Sequence, residues 1–214
     1  MTDHLDKTRN ERYDFEKGRL DGFSFDDPME QFNAWYQEAH EKKLKDPHAV
    51  TISTVDAEGQ PSSRIVYMRE LLDEGFVLYT NFKSRKGTHI EQSNKVSALF
   101  YWDALERQVR MEGFAEKVED KMSDDYFASR PRMSKIGAWA SEQSSQIADR
   151  KSLEDRVKFF EDKFPNEVPR PPHWGGYIIK PLYFEFWQGR EGRLHDRLCY
   201  ERNETDWRKF RIAP

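Results

Sequence analysis

Three stretches of the 214-residue chain carry residue types whose spacing suits work on anions. The densest is Trp187-Gln-Gly-Arg-Glu-Gly-Arg193-Leu-His195-Asp-Arg197, which sets three arginines and a histidine around a glycine turn. On a strand leaving that turn, Arg193, His195 and Arg197 alternate onto one face. Such a face is costly unless an anion or solvent meets it, and an exposed charged strand satisfies the same pattern. Tyr126, Arg130 and Ser134 recur at every fourth position. On one helix they make a hydroxyl–guanidinium–hydroxyl stripe fit for a phosphate. Pro131 falls inside the run and predicts a break near Arg130, and a core tyrosine with surface polar neighbours is the plainer alternative. Ser84-Arg85-Lys86-Gly87 sits where a strand gives way to a helix start. Backbone N–H groups there, beside an arginine fork and an ammonium, suit a phosphate, although a solvated basic turn reads the same. Arg64 and Arg69 are five positions apart, so both reach one ligand only through a bulge or bend.

The elements that must position these residues are mostly short strands. Asp27-Pro28 is a helix start, with a capping carboxylate and proline at the first helical position. Phe32, Tyr36 and Ala39 continue an apolar stripe to about Leu44. Strand signals follow at Val50–Val55, Ser62–Leu72, Phe76–Thr80, Val96–Trp102 and Gln108–Ala115, separated by glycine-containing turns and one short helix over Arg85–Ser93. That pattern predicts an antiparallel meander. The middle reads as three helices, Glu119–Ser129, Pro131–Ser141 and Leu153–Phe164. Strand character resumes at Tyr177-Ile-Ile and Tyr183–Trp187, and Leu194–Tyr200 is expected to pair back. Residues 1–25 are charged and aperiodic and read as a partly flexible arm. Residues 26–214 read as a single, mainly β (α+β) domain, a small antiparallel barrel with flanking helices.

Composition excludes several classes. Charged residues make up 35% of the chain against 36% hydrophobic, but the net charge is only −4 and aromatics reach 14%, so disorder is ruled out. No apolar run is long enough for a membrane helix, and the N-terminus lacks the apolar core of a secretory signal. One cysteine, Cys199, makes no internal disulfide and fits a reducing cytoplasm. Six scattered histidines give no metal-ligand cluster. A pI near 5.9 without a continuous basic stripe disfavours a nucleic-acid partner.

Taken in order, Ser84-Arg-Lys86, Glu106-Arg-Gln108-Val, Tyr126-Phe-x-Ser-Arg-Pro-Arg-x-Ser134, Ile136-Gly-Ala-Trp139, Gln143-Ser-Ser145, Trp174-Gly-Gly176, Phe186-Trp-Gln-Gly189 and Arg193-Leu-His-Asp-Arg197 resemble the pyridoxine (pyridoxamine) 5′-phosphate oxidase family. The resemblance runs from about residue 12 to the closing Arg211-Ile-Ala-Pro214. It implies a Greek-key-like split β-barrel and a cytoplasmic homodimer with FMN at the subunit interface. It implies oxidation of pyridoxamine or pyridoxine 5′-phosphate to pyridoxal 5′-phosphate, with O2 as acceptor and H2O2 as product. FMN contacts fall on Arg64, Ile65, Val66, Tyr67, Met68, Arg69, Tyr79, Thr80, Arg85, Lys86, Gln108, Gln143, Ser144, Trp187 and Arg197. Substrate contacts fall on Arg12, Arg69, Tyr126, Arg130, Ser134, Arg193, Leu194 and His195, of which Arg193 and His195 are the catalytic pair. Position 69 departs from the family pattern, which carries lysine there. The two are not interchangeable, since arginine is a planar fork and lysine a flexible point charge. A split-barrel module that binds a flavin or B6 phosphate without turnover is the alternative. It would need the phosphate grips but not Arg193 and His195.

Overall fold

The computed structural model describes residues 14–214. Two compact units are interwoven along the chain. One comprises His48–Leu99 and Met111–Leu182, and the other comprises Phe100–Arg110, Tyr183–Pro214 and the described residues up to Pro47.

The unit containing His48–Leu99 is built on strands β1 (Ala49–Val55), β2 (Pro61–Tyr67), β3 (Glu70–Leu72) and β4 (Gly75–Asn81), with part of each of β5 (Lys95–Trp102), β6 (Arg107–Lys117) and β7 (Trp174–Gln188). The strand order is β2-β1-β5-β6-β7-β4-β3. β1 runs antiparallel to β2 and β5, and β4 runs antiparallel to β3 and β7. Alternate residues of β1 are buried, which places Val50, Ile52 and Thr54 in the interior. The run expected as one strand over Ser62–Leu72 is interrupted at Met68-Arg69. There Met68 N donates to His48 O and Arg69 N to Val77 O, so the two residues bridge β2 and β3. This is the bend that Arg64 and Arg69 require.

Four helices belong to this unit. α2 (Arg85–Gln92) is capped by Ser84, whose hydroxyl accepts from Gly87 N. α3 (Asp120–Ser129) and α4 (Arg132–Ala140) are separated by the expected break, with Arg130 ending α3 in extended backbone and Pro131 preceding α4. α5 (Arg150–Lys163) starts earlier than its apolar pattern alone indicates, because Asp149 caps it through Ser152 N.

The other unit carries α1 (Pro28–Glu41), the remaining parts of β5, β6 and β7, and strands β8 (Asp196–Arg202) and β9 (Trp207–Arg211). Asp27 caps α1 through Met29 N, with Pro28 at the first position. The helix stops short of Leu44 because Lys43 adopts a left-handed φ of 53° and Leu44 N closes back on Ala39 O. Phe32 and Trp35 of α1 pack on Phe100 and Phe186, with ring centroids 4.9 and 5.2 Å apart. β7 is one 15-residue strand, where the sequence indicates two segments, Tyr177-Ile-Ile and Tyr183–Trp187. Its end pairs antiparallel with β8, and β8 with β9, an edge too rich in charge to be seen as a strand beforehand. Residues 14–25 form no helix or strand, yet are tied down: Leu20 N donates to Asp196, and Phe25 O accepts from Tyr200.

A methyl group on Gly87 would lie 2.1 Å from Phe82 O. The glycine is what lets the first turn of α2 settle on the end of β4. Gly87→Ala is expected to lower the unfolding free energy by about 1–3 kcal/mol. Gly137→Ala, where a Cβ meets nothing within 4 Å, is expected to leave it unchanged or raised. Denaturant titration decides this, and an unchanged midpoint for Gly87→Ala would mean the helix is not seated on that carbonyl.

Candidate functional site

Two cavities open in the unit that contains α2, and together they gather most of the residues singled out above. One has a volume of about 530 Å3 and is lined by Ser62, Ser63, Arg64, Ile65, Val66, Tyr67, Arg69, Tyr79, Thr80, Arg85, Lys86, Gln143 and Ser144. Four of these side chains are cationic and none is a carboxylate. The second, of about 640 Å3, is lined in part by Tyr126, Arg130, Ser134, Ser129, Asn81 and Trp174, again with no carboxylate. Arg69, Tyr79, Thr80 and Gln143 line both, so the cavities share a wall.

The first cavity is built for an anion. Lys86 Nζ is buried, and it donates to Thr80 Oγ1 and Gln143 Oε1, each at 2.7 Å, and to Ser84 Oγ at 3.1 Å. All three acceptors are neutral. Burial, reinforced by the charge of Arg64, therefore pushes its pKa down to about 8. Arg64 is likewise pushed down, by burial first and then by the charge of Arg85. These cations face one another with no compensating acid among the lining residues, an arrangement that an anion relieves. Ser144 holds a left-handed φ of 77°, a strained geometry at the cavity rim.

In the second cavity the aligned triad is not one helical stripe. Tyr126 projects from α3 and Ser134 from α4, and Arg130 occupies the corner between them; the corner brings the three together where a straight helix would not have met Pro131. Tyr79, Tyr126 and Trp174 lie nearly parallel, with Tyr79 and Tyr126 3.9 Å apart and 6° from coplanar. The Arg130 guanidinium stacks 4.6 Å above the Trp174 ring. Its Nη1 is buried with no hydrogen-bond partner among the described residues. A buried guanidinium N–H left unpaired costs free energy, and here it borders a cavity lined with hydroxyls. Burial, with the charge of Arg69 added and Tyr126 opposing, lowers the Arg130 pKa. Trp174 was visible beforehand only as part of Trp174-Gly-Gly176. Its role as a platform for Arg130 needs the tertiary fold.

Of the remaining residues, Gln108, Trp187, Arg193, Leu194, His195 and Arg197 belong to the other unit, and none of them lines either cavity. Arg193, His195 and Arg197 do not alternate on a strand as expected. β8 begins at Asp196, and Glu191–Arg193 is a 3-10 turn in which Gly192 and Arg193 both take left-handed φ, 61° and 65°. Consecutive left-handed residues turn the chain, so only Arg197 enters the ladder, opposite Trp187. Arg193 and His195 are nevertheless brought onto one ring. The guanidinium lies 5.7 Å from the Phe15 centroid, and the imidazole meets Phe15 edge-on at 5.1 Å and Trp187 at 4.6 Å. Leu194 beside them is 73% exposed. His195 Nδ1 accepts the Arg190 backbone N–H at 3.1 Å, so the proton of the neutral ring sits on Nε2. Burial, and then the charge of Arg193, holds its pKa below the ordinary histidine value. Arg197 donates through Nε and Nη2 to the buried Glu185 at 2.8 and 2.9 Å. Gln108 lies on β6. Met68 is buried and lines neither cavity, and Arg12 lies outside the described residues. Among the described residues no group of three or more side chains could hold a metal ion, and no helix is long and apolar enough to cross a membrane.

Lys86 gives the unit a proton-linked signature. The folded group releases its proton near pH 8 and the unfolded one only at the higher, ordinary lysine value. Between those limits the unfolded chain binds more protons, so the stability contributed by this group rises with pH. Relative to Lys86→Met, the parent protein is expected to gain about 1 kcal/mol of unfolding free energy between about pH 7 and about pH 9. Denaturant titrations across that range check it; a constant difference would mean that the ammonium is solvated.

A family model described as pyridoxamine 5′-phosphate oxidase matches residues 20–163. A second, described as the pyridoxine 5′-phosphate oxidase C-terminal dimerisation region, matches residues 174–214. The curated pyridoxine/pyridoxamine 5′-phosphate oxidase of Cupriavidus metallidurans is 50% identical over 189 residues, 88% of this chain and 89% of that protein. The protein of the same name from Bordetella pertussis is 49% identical over 205 residues, 95% of this chain and 97% of its own. Among solved structures, PhzG from Burkholderia lata in complex with tetrahydrophenazine-1-carboxylic acid has a TM-score of 0.85 at 28% identity, over 92% of this chain and 100% of that one. A pyridoxamine 5′-phosphate oxidase-related, FMN binding protein from Nostoc punctiforme shares the split-barrel fold, with a TM-score of 0.70 at 18% identity over 90% of this chain and 100% of that one. The mainly antiparallel sheet, the flanking helices and both matched regions agree: the chain belongs to the pyridoxamine 5′-phosphate oxidase family.

Proposed function

We propose that the protein oxidises pyridoxamine 5′-phosphate or pyridoxine 5′-phosphate to pyridoxal 5′-phosphate with FMN as cofactor, O2 as acceptor and H2O2 as product. The observation that carries this reading is the pair of carboxylate-free cavities with a common wall. Two phosphate-bearing molecules held side by side require two basic subsites, and the residues present fit them. Arg64, Arg69, Arg85 and Lys86 form the subsite for the FMN phosphate, with Ile65, Val66, Tyr67, Tyr79, Thr80, Gln143 and Ser144 along the same cavity. The backbone of Met68 belongs to the same segment. Gln108, Trp187 and Arg197 are assigned to the flavin as contacts made across a homodimer, for which the matched dimerisation region speaks.

FMN, when bound, would supply a two-electron acceptor for the 4′ hydride and pass the pair to O2 as H2O2, while the substrate's hydroxyl or amine proton leaves to water and the imine formed from the amine takes up water and releases ammonia. The chain's own residues bind and orient. Arg130 presents its guanidinium to the substrate phosphate, and the hydroxyls of Tyr126 and Ser134 add donors. Arg69 stands in the shared wall and supplies charge to the phosphate on either side. Arg193 and His195, with Leu194 between them, are assigned to the pyridine ring as contacts made across the homodimer, and Arg12 is assigned to the substrate from the family resemblance alone. With Nδ1 already occupied by the Arg190 N–H, His195 offers Nε2–H, so it donates to the substrate and does not take its proton.

The purified protein is expected to be yellow, to bleach with pyridoxamine 5′-phosphate under anaerobic conditions, and in air to yield an absorbing aldehyde with stoichiometric peroxide. A protein that takes up no FMN overturns the proposal, and one that binds FMN without bleaching leaves only the non-catalytic binder. Arg193→Ala and His195→Ala are expected to lower kcat/KM by about a hundredfold, the scale of lost positioning, with FMN affinity little changed. Matching losses of flavin would place the pair at the cofactor instead.

A further inference from the structure

Arg64 faces the cationic cavity, yet much of its guanidinium is already engaged by neutral protein acceptors. Nη1 donates to Ile52 O at 3.2 Å and to Thr54 Oγ1 at 2.8 Å, and Nη2 donates to Ser62 Oγ at 2.9 Å. Thr54 is fully buried and lies 3.1 Å from Nδ1 of His89, itself buried on α2. Neither Thr54 nor His89 lines the cavity. A guanidinium only donates, so the Thr54 hydroxyl accepts from Arg64, and it donates to His89 Nδ1 when that ring carries its proton on Nε2.

We propose that Thr54 and His89 are positioning residues, a buried hydroxyl–imidazole relay that locks the Arg64 fork with its remaining N–H groups toward the flavin phosphate. The inference rests on the reading of this cavity as the FMN subsite. The physical need is electrostatic. Arg85 and Lys86 share the cavity, and without an anion their charges drive a free guanidinium out toward solvent. A tether of neutral acceptors holds the fork against that repulsion. The phosphate then meets a formed site and does not have to order a long side chain on arrival.

The test uses the full chain stripped of flavin, titrated with FMN and, separately, with riboflavin, which lacks the phosphate. Quenching of flavin fluorescence gives both affinities. Thr54→Val removes the hydroxyl at constant shape, and His89→Leu removes the acceptor. Each is expected to weaken FMN about tenfold, as expected for one lost hydrogen bond to a charged group, and to leave riboflavin unchanged. Thr54→Ser restores the hydroxyl and His89→Asn sets an amide oxygen near the place of Nδ1, so both are expected to stay within about twofold of the parent. In an Arg64→Ala background, Thr54→Val is expected to cost nothing further, which a merely structural role would not predict. Parent-like FMN affinity in both Thr54→Val and His89→Leu, equal losses of FMN and riboflavin, or a penalty that persists without Arg64 would each overturn the relay. A parent chain that binds neither compound would instead overturn the flavin reading beneath it.

Discussion

Mutual repulsion among Arg64, Arg69, Arg85 and Lys86, gathered on one cavity without a carboxylate, is the constraint from which much of the surrounding structure follows. Like charges a few ångströms apart repel by on the order of 4 kcal/mol at an effective dielectric constant of about 20. A chain left to itself would disperse them. They stay together because each is fixed by something other than charge. Gly87 seats the first turn of α2 on Phe82 O, Ser84 caps that turn, and three neutral acceptors hold Lys86. The break at Met68-Arg69 turns the end of β2 so that Arg69 reaches the cavity Arg64 already faces. Burial first, and then the charge of Arg64, depresses the pKa of Lys86, and a phosphate beside it would oppose that shift.

The other unit treats its charges differently. Arg197 is neutralised by a two-point contact with buried Glu185, which also accepts from Arg110. Among the described residues Arg193 has no such carboxylate partner; it sits in a left-handed backbone conformation over the Phe15 ring. His195 is kept neutral and its tautomer is fixed by a backbone N–H, which leaves one donor to offer. Compensation marks a residue whose position must not change.

Local signals were readable where one residue type meets one backbone requirement. The Asp27-Pro28 start of α1, the break at Arg130-Pro131 and the alternation of β1 all appear as the sequence indicates. Reading failed where a neighbour in space decides the outcome. The strand expected to carry Arg193 and His195 gives way to a turn, in which Gly192 and Arg193 both take left-handed φ and the ladder starts only at Asp196. β9 is not marked in the sequence because three of the five residues of Trp207–Arg211 are charged, and it is a strand through its pairing with β8.

By itself, the sequence determined which chemistry was available: two sets of basic and hydroxyl side chains suited to two phosphates, and an ordered series of motifs that names the family. Those are properties of residue type and order, and they survive any folding. Tertiary structure alone decided the address of each group. It joined Tyr126, Arg130 and Ser134 through a corner between helices, set Trp174 beneath Arg130, gave the two cavities one wall and placed Thr54 and His89 behind Arg64. The reason is that the direction of a side chain depends on contacts between residues far apart in the chain, and neither periodicity nor composition contains those contacts.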